Sequence, residues 1–130
     1  MEFFAQAQVS ASGAALQARI DIGSLPALCA SVDRLLAQAG DAGTIYCVWG
    51  QFDVHREIIS GGVRFTLPEC PNALAWTITT DQPPDPAAVV IHCTIARIDH
   101  DPDFIETIEQ FVADWAEGLE RAFGRTKAAG

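Results

Sequence analysis

The sequence predicts an α+β fold, a single two-layer domain in which an antiparallel β-meander carries two helices on one face. Two periodicities lead to that reading. From residue 44 to 99 apolar and polar residues alternate with the two-residue period of half-buried strands. From 101 to 124 the apolar residues recur with helical spacing, so helix and sheet are segregated along the chain. A third observation bounds the class: no segment approaches the roughly 18 apolar residues needed to span a membrane.

Residues 2–10 and 15–22 flank Ala11-Ser12-Gly13-Ala14. Leu16, Ala18, Ile20 and Ile22 alternate with Gln17, Arg19 and Asp21, so the two segments are expected to pair as a hairpin. The alanines and glutamines of 2–10 would also suit a helix. Ser24 reads as an N-cap, Pro26 as a first-turn residue and Gly40 as a stop. Between them Leu25, Leu28, Cys29, Val32, Leu35, Leu36 and Ala39 fall at helical spacing, which predicts an amphipathic helix over 24–40.

Strand character follows over 44–51 and 52–59, read as one long strand with Gly50 as a bulge or bend within it, and Ser60-Gly61-Gly62 makes a tight turn. Val63, Phe65 and Leu67 form one apolar face, continued by Leu74, Trp76 and Ile78 and by Val89, Ile91, Cys93 and Ile95. Cys70-Pro71-Asn72 joins two of these strands and the proline-rich stretch 82–86 is a loop. Asp101 and Pro102 open the last helix as N-cap and first residue, and Gly124 closes it. The expected order is β-β-α-β-β-β-β-α over residues 1–127, with 128–130 a frayed tail.

Charge narrows the partners. Of 130 residues, 17 are acidic and 8 basic, for a net charge of −9. Phosphate backbones and anionic membrane surfaces both need clustered cations, so neither nucleic acid nor membrane is expected as a partner. Asp99, Asp101, Asp103, Glu106, Glu109, Asp114, Glu117 and Glu120 fall in a stretch without lysine or arginine. Glu106, Glu109 and Glu117 are the candidate partner-binding residues of this helix, against the plainer reading of a solvated face. Met1-Glu2-Phe3-Phe4 lacks the basic start and apolar run of a secretory signal, so a cytoplasmic address is expected. The four cysteines form no Cys-x-x-Cys pair and read as free, mostly buried thiols.

The alternation also places Arg64, Thr66, Thr77, Thr79, His92 and Thr94 on the sheet face opposite the helices, with Arg56 beside them. This face is read as polar but almost free of carboxylate. It suits solvent, a second copy of the chain, or a small anion held by Arg64, His92, Thr77, Thr79 and Thr94, with Arg64 as a fork and His92 as a titratable donor.

Cys70 has Glu69 and Pro71 as neighbours and no specific histidine, so it reads as a corner rather than a nucleophile. His55, His92 and His100 have no zinc spacing, and the acids around His100 already serve as helix caps. Phosphate-loop, nucleophile-elbow and His-Glu-x-x-His motifs are missing, so neither a metal nor a cofactor is expected. Trp49, Trp76 and Trp115 read as core anchors. The favoured function is a non-enzymatic, homodimeric interaction module contacting itself or another protein. The alternative is an anionic-ligand-binding domain or enzyme, with its pocket between sheet and C-terminal helix or on the Arg64/His92 face.

Overall fold

The computed structural model describes residues 1–80, 88–96 and 100–125. The loop expected at 82–86, Asp99 and the tail 128–130 lie outside the described residues. Among those described, seven strands form one antiparallel sheet: β1 (Glu2–Ala7), β2 (Val32–Ala39), β3 (Ala42–Cys47), β4 (Gly50–Ile59), β5 (Gly62–Thr66), β6 (Ala75–Thr79) and β7 (Val89–Thr94). Their spatial order is β1-β7-β6-β5-β4-β3-β2. Strands β3 to β7 fall within the expected meander, and β2 extends it at one edge. The α-helices are α1 (Gly13–Arg19), the single turn α2 (Leu25–Leu28) and the 22-residue α3 (Pro102–Phe123). The α+β two-layer class predicted from the sequence is the one observed.

The element order departs from expectation in three places. The stretch 44–59 is not one strand bent at Gly50 but two, β3 and β4, paired antiparallel with Cys47 opposite Gly50, whose φ of +113° serves the turn between them. The segment 15–22 is not a strand paired with 2–10. Ser12 Oγ accepts the Ala15 N–H at 3.0 Å and starts α1, while β1 pairs with β7 across the chain, Phe4 opposite His92. Leu16 and Ile20, both fully buried, satisfy the i, i+4 spacing of a helix as well as the alternation of a strand. The predicted helix 24–40 keeps only its first turn. Asp21 and Ser24 form a capping box ahead of α2, Cys29 is already extended, and 32–39 becomes the edge strand β2. Gly40, read as a helix stop, has φ +60° and sits in the two-residue turn between Ala39 and Ala42. The same left-handed conformation serves a hairpin instead of a helix cap.

The ten apolar residues expected on the buried face between Val63 and Ile95 are all buried. Phe111 meets Trp76 edge-on at 4.9 Å and Trp115 lies 6.2 Å from Phe65, so α3 delivers two aromatic anchors to the middle of the sheet. Each such buried ring contributes about 1.5–3 kcal/mol of apolar transfer. Helix α3 runs along β1 and packs against α2, and α1 covers β5. At the crossing with α2, Gly118 is obligatory: a Cβ there would lie 1.8 Å from the Leu28 carbonyl oxygen.

Arg56 was expected beside the polar face but points to the helices. Its side chain is 8% exposed; Nε donates to Ile20 O at 2.8 Å, Nη2 to Gln17 O, and Nη1 to Asp41 Oδ1 at 3.0 Å. It closes the carbonyl end of α1, where the helix dipole favours a cation.

Candidate functional site

Strand register builds the polar sheet face row by row. Phe4, His92, Thr77, Arg64 and Glu57 stand opposite one another across β1, β7, β6, β5 and β4. Thr79 neighbours Val90, and Thr94 lies between Glu2 and Ala75. The five candidate ligand residues therefore share one face, around a shallow hollow of ≈ 350 Å³ that reaches Thr77, Thr79 and His92.

The polar ends of Arg64 and His92 turn to different carboxylates, on opposite flanks. Arg64 Nη1 donates to Glu57 Oε1 at 3.1 Å, while His92 Nε2 lies 3.0 Å from Glu2 Oε1 and its ring stacks on Phe4 at 4.4 Å. The face is thus not free of carboxylate: Glu2, Asp53 and Glu57 belong to it, because β1 and β4 supply its flanks. An anion at Thr77 would have to displace Glu57 from Arg64 and Glu2 from His92.

Another carboxyl pair lay beyond sequence reasoning. Asp53 accepts from Thr44 Oγ1 at 2.9 Å. A hydrogen bond from Glu69, then that from Thr44, holds its carboxyl below the usual range, while the Asp53 hydrogen bond and charge push Glu69 up. The pair joins β4 to the β5–β6 connection, so only tertiary structure brings it together. His55 and His92 share the face but stand three strand spacings apart, about 14 Å. Among the described residues no group of three His, Cys, Asp or Glu side chains could hold a metal ion.

Helix α3 sorts its acids by neighbour. Asp101 Oδ1 caps the helix by accepting from Asp103 N at 2.8 Å, as its sequence position implies. Asp114 accepts from Ser31 Oγ at 2.6 Å, and Glu120 accepts from Gln8 N at 3.2 Å, so these two tie the helix to the body. Glu106, Glu109 and Glu117 are exposed. Glu117 meets Arg121 at 3.5 Å; among the described residues no ion pair reaches Glu106 or Glu109. Beside this face a cleft of ≈ 560 Å³ runs between α3 and the end of the β2–β3 hairpin, with Asp33, Asp114, Tyr46 and Val48 in its wall. Tyr46 and Val48 are 43% and 52% exposed.

At the Cys70-Pro71-Asn72 joint, Cys70 N donates to Leu67 O and Ala73 N to Cys70 O, both at 3.0 Å, making two successive turns. The positive φ falls on Ala73, at 50°, rather than on Asn72. The joint is a corner, as expected, and also a wall. Trp49, Phe52, Leu67, Cys70, Pro71, Asn72, Leu74 and Phe104 enclose ≈ 270 Å³ at this end of the sheet, under the first turn of α3. Trp49 is only half-buried, unlike Trp76 and Trp115, and donates Nε1–H to Thr107 Oγ1 at 2.8 Å. Cys70 is half-buried; Cys29, Cys47 and Cys93 are buried. Burial pushes the Cys29 and Cys93 thiols up to about 12, and Cys47 upward too.

No protein-family model and no curated protein matches the chain. Solved structures do match in shape. The protein XoxI from Bacillus cereus is 13% identical, with a TM-score of 0.66 and 94% of each chain covered. An uncharacterized protein from Bacillus thuringiensis is 13% identical at a TM-score of 0.65, over 95% of this chain and 98% of the other. At that identity the likeness establishes the fold and nothing of the site. No helix among the described residues is long and apolar enough to cross a membrane.

Proposed function

We propose that this chain is a non-enzymatic interaction module of the cytoplasm that docks a basic protein surface on the outer face of α3. The observation that carries the reading is the exposed row Asp103, Glu106, Glu109 and Glu117, which meets no cation on its helix before Arg121. Such a row steers a basic partner and sets its orientation. The neighbouring cleft adds what a row of charges lacks, exposed apolar contact from Tyr46 and Val48 between two further acids, Asp33 and Asp114. An apolar centre with a charged rim is the usual anatomy of a protein interface. Self-association, the homodimer expected from sequence, belongs on the polar sheet face or a sheet edge, because two acidic helices repel.

The test uses deca-arginine as a basic probe, titrated calorimetrically at low salt. Replacing Glu106, Glu109 and Glu117 by lysine should abolish binding. Replacing Glu2, Glu57 and Glu69 by lysine changes net charge equally on the other face and should leave most of it. Equal loss in both variants would mean that net charge alone attracts the probe, and retention in the helix variant would remove α3 from the interface. Either result overturns the proposal.

A further inference from the structure

The apolar cavity under the first turn of α3 is independent of the acidic docking face. We propose that it is a binding site for a small uncharged molecule built on a single ring and carrying one hydrogen-bonding group. Size sets the first limit: ≈ 270 Å³ lies just below the usual range of small-molecule sites and holds a single ring rather than a whole nucleotide. Wall chemistry sets the second. Trp49, Phe52 and Phe104 present aromatic surface and Leu67 and Leu74 aliphatic surface, so the occupant is an apolar ring. Asn72, whose backbone carbonyl is fixed by the Ala96 N–H at 2.8 Å, offers an amide that both donates and accepts.

Charge sets the third limit. No Asp, Glu, Lys, Arg or His stands in the wall, so a cation held there would find no carboxylate. Just outside stand three exposed acids, Glu69, Asp101 and Asp103, beside His100, whose ring lies 5.2 Å from Phe104; on a chain of net charge −9 the acids outnumber it and disfavour an anion. A neutral molecule meets neither obstacle. The site is also pre-formed. Trp49 Nε1–H holds Thr107 Oγ1, and Thr107 Oγ1–H in turn donates to Phe104 O at 2.6 Å, so the helix roof is bonded to the sheet without help from a ligand. Pre-formation spares the ordering cost of binding.

The experiment titrates the folded protein with p-cresol, and separately with p-toluate, the same ring bearing a negative charge, while following ¹H–¹⁵N shifts. Saturable shifts of the Trp49 indole N–H and Asn72 amide by p-cresol, with a dissociation constant of about 1 mM or tighter, are expected. p-Toluate should bind about tenfold more weakly or not at all. p-Cresol should also slow alkylation of Cys70 by iodoacetamide in proportion to occupancy. Cys70→Phe fills the cavity and should abolish saturation. Asn72→Leu, which keeps the cavity but removes its amide, should weaken binding several-fold. Shifts that never saturate, equal binding of p-toluate, or unchanged affinity in a folded Cys70→Phe or Asn72→Leu variant would overturn the assignment.

Discussion

Removing the Arg56 guanidinium should cost this fold more than deleting any exposed ion pair. The side chain is 8% exposed and donates to two main-chain carbonyls, Gln17 O and Ile20 O, at the end of α1. A hydrogen bond from a charged donor contributes about 1.5–3 kcal/mol, so the two together contribute about 3–6 kcal/mol. Asp41 is 66% exposed, and its ion pair adds less than about 1 kcal/mol. Against these stands the desolvation of the buried cation, which removal recovers in part. The net expectation for Arg56→Ala is a loss of about 3 kcal/mol. Arg56→Met keeps the packed stem and should lose about 1.5 kcal/mol, because two methylene-sized groups beyond Cβ are retained at about 0.8 kcal/mol each. Arg56→Lys keeps the charge without the fork and should fall near Arg56→Met. Asp41→Asn should lose less than about 1 kcal/mol. Urea unfolding followed by far-ultraviolet circular dichroism measures all four. A loss for Arg56→Ala below about 1 kcal/mol, or one that Asp41→Asn matches, would refute the picture of a buried fork closing α1.

Two further outcomes follow from close packing and from thiol burial. Gly118→Ala would gain about 1 kcal/mol of helix propensity on an open surface, but here its Cβ meets the Leu28 carbonyl; chemical denaturation should show a net loss of about 2 kcal/mol or more, and a gain would mean that α2 and α3 do not touch as described. Cys29 and Cys93 titrate near 12 when folded and near 9.0 when unfolded, so their contribution is complete below about pH 9 and is lost as pH rises toward 12, at about 1.4 kcal/mol per unit per thiol. With one lysine and one tyrosine in the chain, few other groups obscure that slope, and the denaturation midpoint should fall through this window less steeply once both thiols are replaced by alanine.

Legibility followed the range of the interactions. Strands β5, β6 and β7 and helix α3 were readable because alternation, the Ser60-Gly61-Gly62 turn and the Asp101 cap all act over a few positions. Leu16 and Ile20 misled because a spacing of four fits both periods, and Gly40 misled because one left-handed glycine ends either a helix or a hairpin strand. Arg56 shares strand parity with Val54, which is buried, so the signal for its inward side chain was present and went unused. A pocket between sheet and C-terminal helix was an expectation, but its walls were not readable: the turn at Trp49, the 67–74 joint and the start of α3 meet only in three dimensions. For the same reason Cys70 was legible as a corner and not as a cavity wall.

The position of β1 orders events during synthesis. Met1 is joined to Ile95 in both directions, its ammonium donating to Ile95 O at 3.0 Å and its carbonyl accepting from Ile95 N at 3.1 Å. Strand β1 therefore has no partner until Ile95, 94 residues further along the chain, has been made. Until then the nascent chain carries an unpaired strand. Helix α3 follows β7 in sequence and lies along β1, so closure of the sheet and docking of the helix fall close together, across the costliest loop in the sheet to close.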